Sequence, residues 1–420
     1  MKKILFFFLI LNTLLTQSIQ TDQKPILTEI ETLTETTRYY STPDEAWFWN
    51  FISNFTLWGN FGWSVSVYGN FFVGGAYDAR RAFFFRYNGS NWNQEQIFYE
   101  PSFPGFGYSV SVYEDVIVIG AYGSKGAFVY RYNGAIWNEE QILNESIPYF
   151  GYSVSVYEDV IVIGTNGAKQ AFIYRYNGSI WNLEEHFNKP SVSYFGYSVS
   201  IYGNVTVIGT YDANQVFIYR YNGSIWNQEE ILNKSDLRFG SSVSVYEDVI
   251  VVGAYGAKQA FIYRYNGSIW NLEQILDEPS VSSFGYSVSI YEDVIVVGAY
   301  YSNQTFIYRY NGSIWNLEEH FNKPSVSYFG YSVSIYSNVT VIGASDANQV
   351  FVYEADLIPQ VNIVNCSSLF SSFDCYWDKI EFFRTLKYQI NYGYDWIDIE
   401  SPILEDENVY YQQFNSSNLC

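Results

Sequence analysis

The chain has 420 residues and offers few of the side chains that do chemistry. It holds two histidines, His186 and His320, and three cysteines, all beyond residue 365. The histidines occupy copies of one position, and neither recurs with a Cys or Ser in the pattern a nucleophilic triad needs. Zinc-site spacings are absent. The carboxylate pairs Glu184-Glu185 and Glu318-Glu319 fall on segments expected to be outer, solvated strands. No catalytic residue, no metal ligand and no cofactor is therefore expected, and the chain reads as a non-enzyme. Positive charge is also scarce. Lys and Arg number 22 against 43 Asp and Glu, a net charge of −21 that opposes nucleic acid and anionic membrane surfaces. Beyond residue 20 no run of 18 apolar residues occurs, so no spanning helix is expected in the mature chain.

What the sequence does contain is one stretch, repeated. Its clearest copy starts at Phe239, and its opening Phe-Gly pair recurs at Phe61, Phe106, Phe150, Phe195, Phe239, Phe284 and Phe329, always 44 or 45 residues apart. Seven copies at a fixed period mean a repeat architecture. Within a copy, Ser242–Tyr246 alternates small-polar with apolar residues, the period of a strand. Glu247-Asp248 is a two-residue connection. Val249–Ala254 is a β-branched run suited to a strand covered on both faces. Ala260–Tyr265 is a third, aromatic strand. Asn266-Gly267 is a hairpin signal, since both residues tolerate positive φ. The fourth strand turns acidic, as an outer edge should. Four strands repeated seven times give an all-β fold, a seven-bladed β-propeller of four-stranded blades. The Ser positions of the first strand fit crowding toward the axis.

The ring should close on itself. A Trp precedes each following Phe-Gly by 13 or 14 residues in six copies, whereas the seventh stops at Tyr353 without a fourth strand. Trp47 stands 14 residues before Phe61. The stretch around Trp47 is thus expected to supply the missing outer strand, and the propeller spans 45–354.

Residues 1–20, with Lys2, Lys3 and an apolar run from Ile4 to Leu15, match a secretory signal peptide. Residues 21–44 are polar and Thr-rich and read as a flexible lead-in. Thirteen Asn-x-Ser/Thr sequons fit an exported glycoprotein. Those at Asn88, Asn177, Asn222, Asn266 and Asn311 share the Asn-Gly-Ser hairpin. Asn204 and Asn338 sit in connections between first and second strands. In an up-and-down blade all seven lie at one end of the ring. The 2–3 and 4–1 loops lie at the other, with Tyr77, Tyr122, Tyr211, Tyr255 and Tyr300 on the former and Tyr149, Tyr194 and Tyr328 on the latter. These tyrosines either form a binding face for protein or sugar or pack on one another across blades.

After the linker 354–358 the text changes. Alternating strands around Cys375-Tyr376-Trp377 in 359–420 suggest a short, incomplete β-sandwich module. Cys366 and Cys375 are expected to pair in an oxidising compartment. Cys420 is then a free thiol, an intermolecular link or a sign of truncation.

The repeat resembles the FG-GAP repeat of integrin α-subunit propellers and many secreted proteins. The Phe-Gly half is present seven times. The Gly-Ala half stands at Gly75-Ala76, Gly120-Ala121, Gly253-Ala254, Gly298-Ala299 and Gly343-Ala344, and departs to Gly164-Thr165 and Gly209-Thr210. The family's Pro is replaced throughout, by Tyr77, Tyr122, Asn166, Tyr211, Tyr255, Tyr300 and Ser345. The resemblance implies an extracellular adhesion or recognition role, with ligand bound on the 2–3/4–1 face. Such propellers often carry calcium loops between the first two strands. Here that connection is two residues, too short to supply the six to eight oxygens a calcium ion takes (about that number), so no such site is expected. The segment from Cys375 to Tyr392 looks like the first half of a fibronectin type III domain. The expected partner is an extracellular protein ligand. A lectin-like glycan ligand, or a structural secreted role, is the alternative.

Overall fold

The computed structural model describes residues 46–235 and 237–358, with side chains for 48–235 and 237–356, and the backbone of six further strands between Ile363 and Asn415. The expected signal peptide and lead-in, 1–20 and 21–44, lie outside the described residues.

Seven four-stranded antiparallel sheets form the ring. Blade five is Ser242–Tyr246, Val249–Ala254, Gln259–Tyr265 and Trp270–Asp277, and the others repeat it. The second strand is buried along its whole length, which its β-branched run requires. The last blade joins Phe329–Tyr336, Val339–Ala344 and Gln349–Ile358 to Ala46–Thr56 at its outer edge.

A blade has no core of its own. Each of six hydrophobic clusters draws on two successive blades. Phe71, Val73 and Phe84 of blade one pack with Phe106, Ile119 and Phe128 of blade two. Val341, Val350 and Val352 of blade seven pack with Phe61 and Phe72 of blade one. Burial of apolar area thus occurs only when blades associate, and the chain must close to finish it.

The Phe-Gly pair makes that seam. Phe106 is fully buried, edge-to-face against Phe128 at 5.0 Å. Gly107 follows at φ +87°, and a Cβ there would stand 2.1 Å from the Arg81 carbonyl oxygen of the preceding blade. Only glycine permits both the backbone angle and the approach. The first-strand serines do more than fit a crowded axis. Ser66, Ser111, Ser155, Ser200, Ser244, Ser289 and Ser334 each accept, through Oγ, a backbone N–H from the next blade's first strand. The set closes the circle, since Val67 of blade one donates to Ser334 of blade seven at 3.1 Å.

The outer rim carries a second set of ties. Arg175 pairs with Glu184 and Asp159 of its own blade and lies over Tyr221 of the next, 4.7 Å from the ring centre. Glu184 also accepts from the Trp226 indole at 3.0 Å. Glu318 is held in the same way by Arg309 and by the Trp49 indole at 2.9 Å. One member of each carboxylate pair is therefore bound at a blade seam rather than solvated, because it is the meeting point of two donors from two blades. The seam also shows that Trp49 takes the position of the blade tryptophans. It is Trp49, two residues beyond the expected Trp47, whose indole reaches Glu318.

The hairpins differ from a two-residue turn. Four residues, Asn266–Ile269, join the strands, and only Gly267 has positive φ, at +93°. Asn266 instead accepts the N–H groups of Ser268 and Ile269 on Oδ1, an Asx motif that sets the turn.

The C-terminal segment forms, by itself, a four-stranded sheet of Ile363–Leu369, Ser372–Asp378, Val409–Asn415 and Glu405–Asp406, and a separate pair, Lys387–Asn391 with Trp396–Glu400. Backbone register sets Cys366 opposite Cys375. The side chains that would pack a sandwich lie outside the described residues.

Candidate functional site

The residue after each Phe-Gly begins the first strand at the 2–3/4–1 end of the axis. In chain order it is Trp63, Tyr108, Tyr152, Tyr197, Ser241, Tyr286 and Tyr331. Together with Ser242 these residues line a cavity of about 150 Å³ at the axial mouth. Six aromatic rings in seven blades form a collar. Consecutive centroids stand 5.3, 4.8 and 5.1 Å apart from Trp63 to Tyr197, and 5.0 and 4.5 Å apart from Tyr286 back to Trp63. The collar is open once, at Ser241.

The tilt between neighbours is 43–49°. One seventh of a turn is about 51°, so the ring planes run roughly along the axis. The rings of Tyr108, Tyr152 and Tyr197 follow one another around the mouth, as do those of Tyr286 and Tyr331. Burial holds these five phenols well above the usual tyrosine value, and neighbouring tyrosines add to it in most of them. They stay protonated and can both donate and accept.

The sequence-predicted tyrosines form the tier outside this collar. Tyr77 packs on Trp63 and Tyr108 at 4.5 and 5.5 Å. Tyr122 packs on Tyr108 at 4.4 Å and stacks with Tyr149. Tyr194 and Tyr197 both touch Tyr211. Tyr211 and Tyr255 share a 2.8 Å hydroxyl contact, and Tyr255 lies against Tyr286 at 5.3 Å. Tyr300 lies between Tyr286 and Tyr328 and is only 9% exposed. Its neighbour Tyr301, at 61%, is the ring that reaches solvent in blade six. Both readings of these tyrosines therefore hold in part. Tyr149 and Tyr194 are exposed, whereas Tyr300 is packing. Around Ser241 the aromatic belt detours outward through Tyr211 and Tyr255, leaving a notch. Arg238, which precedes the blade-five Phe-Gly, sits 3.9 Å over the Tyr211 ring and pairs with Asp212.

The inner collar escaped the sequence reading, which looked at loops. Its signal was present, an aromatic at the third repeat position in every copy but one. A second ring was equally legible. Tyr68, Tyr113, Tyr157, Tyr202, Tyr246, Tyr291 and Tyr336 end the first strands and close a complete circle at 4.4–4.9 Å spacing at the other mouth.

At that other end the hairpin residues Asn88, Asn177, Asn222, Asn266 and Asn311 are exposed, as is Asn204. Asn338 is half-buried, its amide donating to Glu354 and the Ala355 carbonyl. Among the turn carboxylates, Asp115, Asp159, Asp248 and Asp293 pair with arginines of their own blades. Among the described residues no group of three or more His, Cys, Asp or Glu is placed to hold a metal. His186 stacks on Phe172 and bonds Gln170, and His320 stacks on Phe306, cross-strand packing in both cases. Cys366 and Cys375 are described in backbone only.

Geometry and sequence together define the class: a seven-bladed all-β propeller with a lined axial mouth. The FG-GAP repeat family matches residues 226–269 and 277–314. Each matched span begins near a fourth strand or its exit and runs into the next blade, following the seams. Among solved structures the WD40 repeats of RRP9 align with TM-score 0.59 at 10% identity, over 74% of this chain and 100% of that one. The WD40 propeller domain of Doa1 gives 0.56 at 11% (73% and 97%), and the Myceliophteria thermophila Cps50 (Swd1) propeller 0.57 at 10% (73% and 99%). At such identities the likeness is one of fold alone. No curated protein matches the sequence. Among the described residues no helix is long and apolar enough to cross a membrane.

Proposed function

We propose that the protein is a secreted or cell-surface recognition protein of the adhesion type, which binds a macromolecular ligand through the 2–3/4–1 face. The observation that carries this is the rim of exposed tyrosines, Tyr149, Tyr194 and Tyr301, standing on a rigid aromatic collar. Tyrosine gives a large contact area at low ordering cost, the usual material of binding faces. The hairpin sequons fall at the opposite end, which leaves this end the freer of the two, although the sequons at Asn144, Asn233 and Asn303 lie on it. The FG-GAP repeats agree with such a role. The proposal includes no catalytic step, and it includes a Cys366–Cys375 disulfide and a partial fibronectin type III-like segment at 359–420.

The test is binding of the purified full chain to intact cells and matrix of its source, with a variant carrying Tyr149→Ser, Tyr194→Ser and Tyr301→Ser. Saturable binding lost in the variant is the expected result. Binding unchanged in the variant removes this face, and no saturable binding by the parent removes the proposal.

A further inference from the structure

The collar is interrupted at one blade, and the interruption is polar. Where six blades present Trp or Tyr, blade five presents Ser241, with Ser242 beside it, and both line the cavity. Ser242 is set apart from its equivalents. Ser64, Ser109, Ser153, Ser198, Ser287 and Ser332 donate to the Gly carbonyl of the next Phe-Gly pair. Ser242 instead accepts the Val288 N–H at 3.1 Å, which leaves its hydroxyl proton for another acceptor.

We propose that this notch is a binding site for a single neutral sugar ring, the terminal residue of a glycan, inserted along the propeller axis. Four observations select that class. The lining, Trp63, Tyr108, Tyr152, Tyr197, Tyr286, Tyr331 and the two serines, holds no charged side chain, so an ion would enter without a counter-charge. The net charge of −21 opposes an anion. What remains on offer is a lining of five tyrosines and two serines, whose hydroxyls both donate and accept, and the natural complement is a ligand whose hydroxyls do the same. The cavity volume of about 150 Å³ suits one pyranose ring rather than an oligosaccharide. The site has one place for discrimination, because blade five alone presents no aromatic ring to the collar.

The inference rests on the recognition reading for this face and names its ligand chemistry. It is tested with the full chain and the methyl glycosides of glucose, galactose, mannose and N-acetylglucosamine, by isothermal titration calorimetry. Ser241→Tyr installs the residue that five other blades carry, so it should fold and fill the notch. Ser242→Ala removes the free donor and also the acceptor of the Val288 N–H, so its affinity is read beside its stability. Thermal unfolding of each variant verifies the fold. The expected result is saturable binding of at least one glycoside, weakened by about tenfold or more in Ser241→Tyr and several-fold in Ser242→Ala. No saturable binding of any glycoside by the parent, or affinity unchanged in Ser241→Tyr, overturns the inference. Equal or tighter binding of the glucuronate or glucosamine analogue overturns the neutral class. Free glycosides need no macromolecular partner. Sugar binding without cell capture therefore sinks the adhesion reading alone, and cell capture without sugar binding sinks this inference alone.

Discussion

Gly107 and Gly134 are a matched pair that isolates what the Phe-Gly seam contributes. Both have nearly the same φ, +87° and +93°. Replacing either with Ala imposes similar backbone strain, about 1–3 kcal/mol, and restricts the unfolded chain equally. Their surroundings differ. A Cβ at Gly134 meets nothing within 4 Å, whereas at Gly107 it would stand 2.1 Å from the Arg81 oxygen and 3.2 Å from the Ala76 nitrogen. Relief requires two sheets to part by about an ångström across a fully packed seam, which overpacking data put at roughly 1–3 kcal/mol or more. Gly134→Ala should therefore cost about 1–2 kcal/mol and Gly107→Ala about 4 kcal/mol. Urea unfolding of the parent and both variants, followed by tryptophan fluorescence, gives the difference with unfolded-state effects cancelled. A difference below about 0.5 kcal/mol would refute the claim that close inter-blade approach is why glycine stands there.

Ser200→Ala leaves the Val245 N–H, on a residue 5% exposed, without its partner and should cost about 1–3 kcal/mol, measured by the same unfolding curves. Trp49→Phe removes the donor to Glu318 at the ring closure and should lower stability by about 1 kcal/mol or more, read as a shift in thermal midpoint. Burial alone would raise the Glu140, Glu184 and Glu229 carboxyls, but the Arg and Trp donors on them outweigh it and hold them below the usual range. Their stabilisation is complete above the unfolded carboxylate value and is lost as pH falls through the lower folded one, so Glu229→Gln should flatten the acid limb of a stability–pH profile. The collar phenols are raised by burial, so their contribution is full below the unfolded tyrosine value and fades at higher pH. Absorbance at the phenolate band should therefore show a late, cooperative step coincident with alkaline unfolding. A thiol assay on the denatured, unreduced chain should find one free thiol of three if Cys366 and Cys375 are bonded.

Much of this molecule was legible because a repeat prints its structure seven times. The strand limits read from the copy at Phe239 fall within two residues of those observed. The site was less legible. Loop tyrosines such as Tyr300 look exposed in a sequence because loops usually are, yet Tyr300 is wedged between Tyr286 and Tyr328. Glu184 and Glu318 look solvated beside a second acid. What binds them lies one blade away, about 42 residues distant for Trp226 and 269 for Trp49.

The sequence alone determined the period, the number of blades, the glycines at the seams and the need for an N-terminal strand to finish the last sheet. Those follow from local rules, strand alternation, positive φ and apolar runs that one sheet cannot bury. Tertiary structure decided what lies on the axis. Only closing the ring brings seven residues, each 44 or 45 positions from the next, to one point, and only there does a single serine among aromatics become an opening.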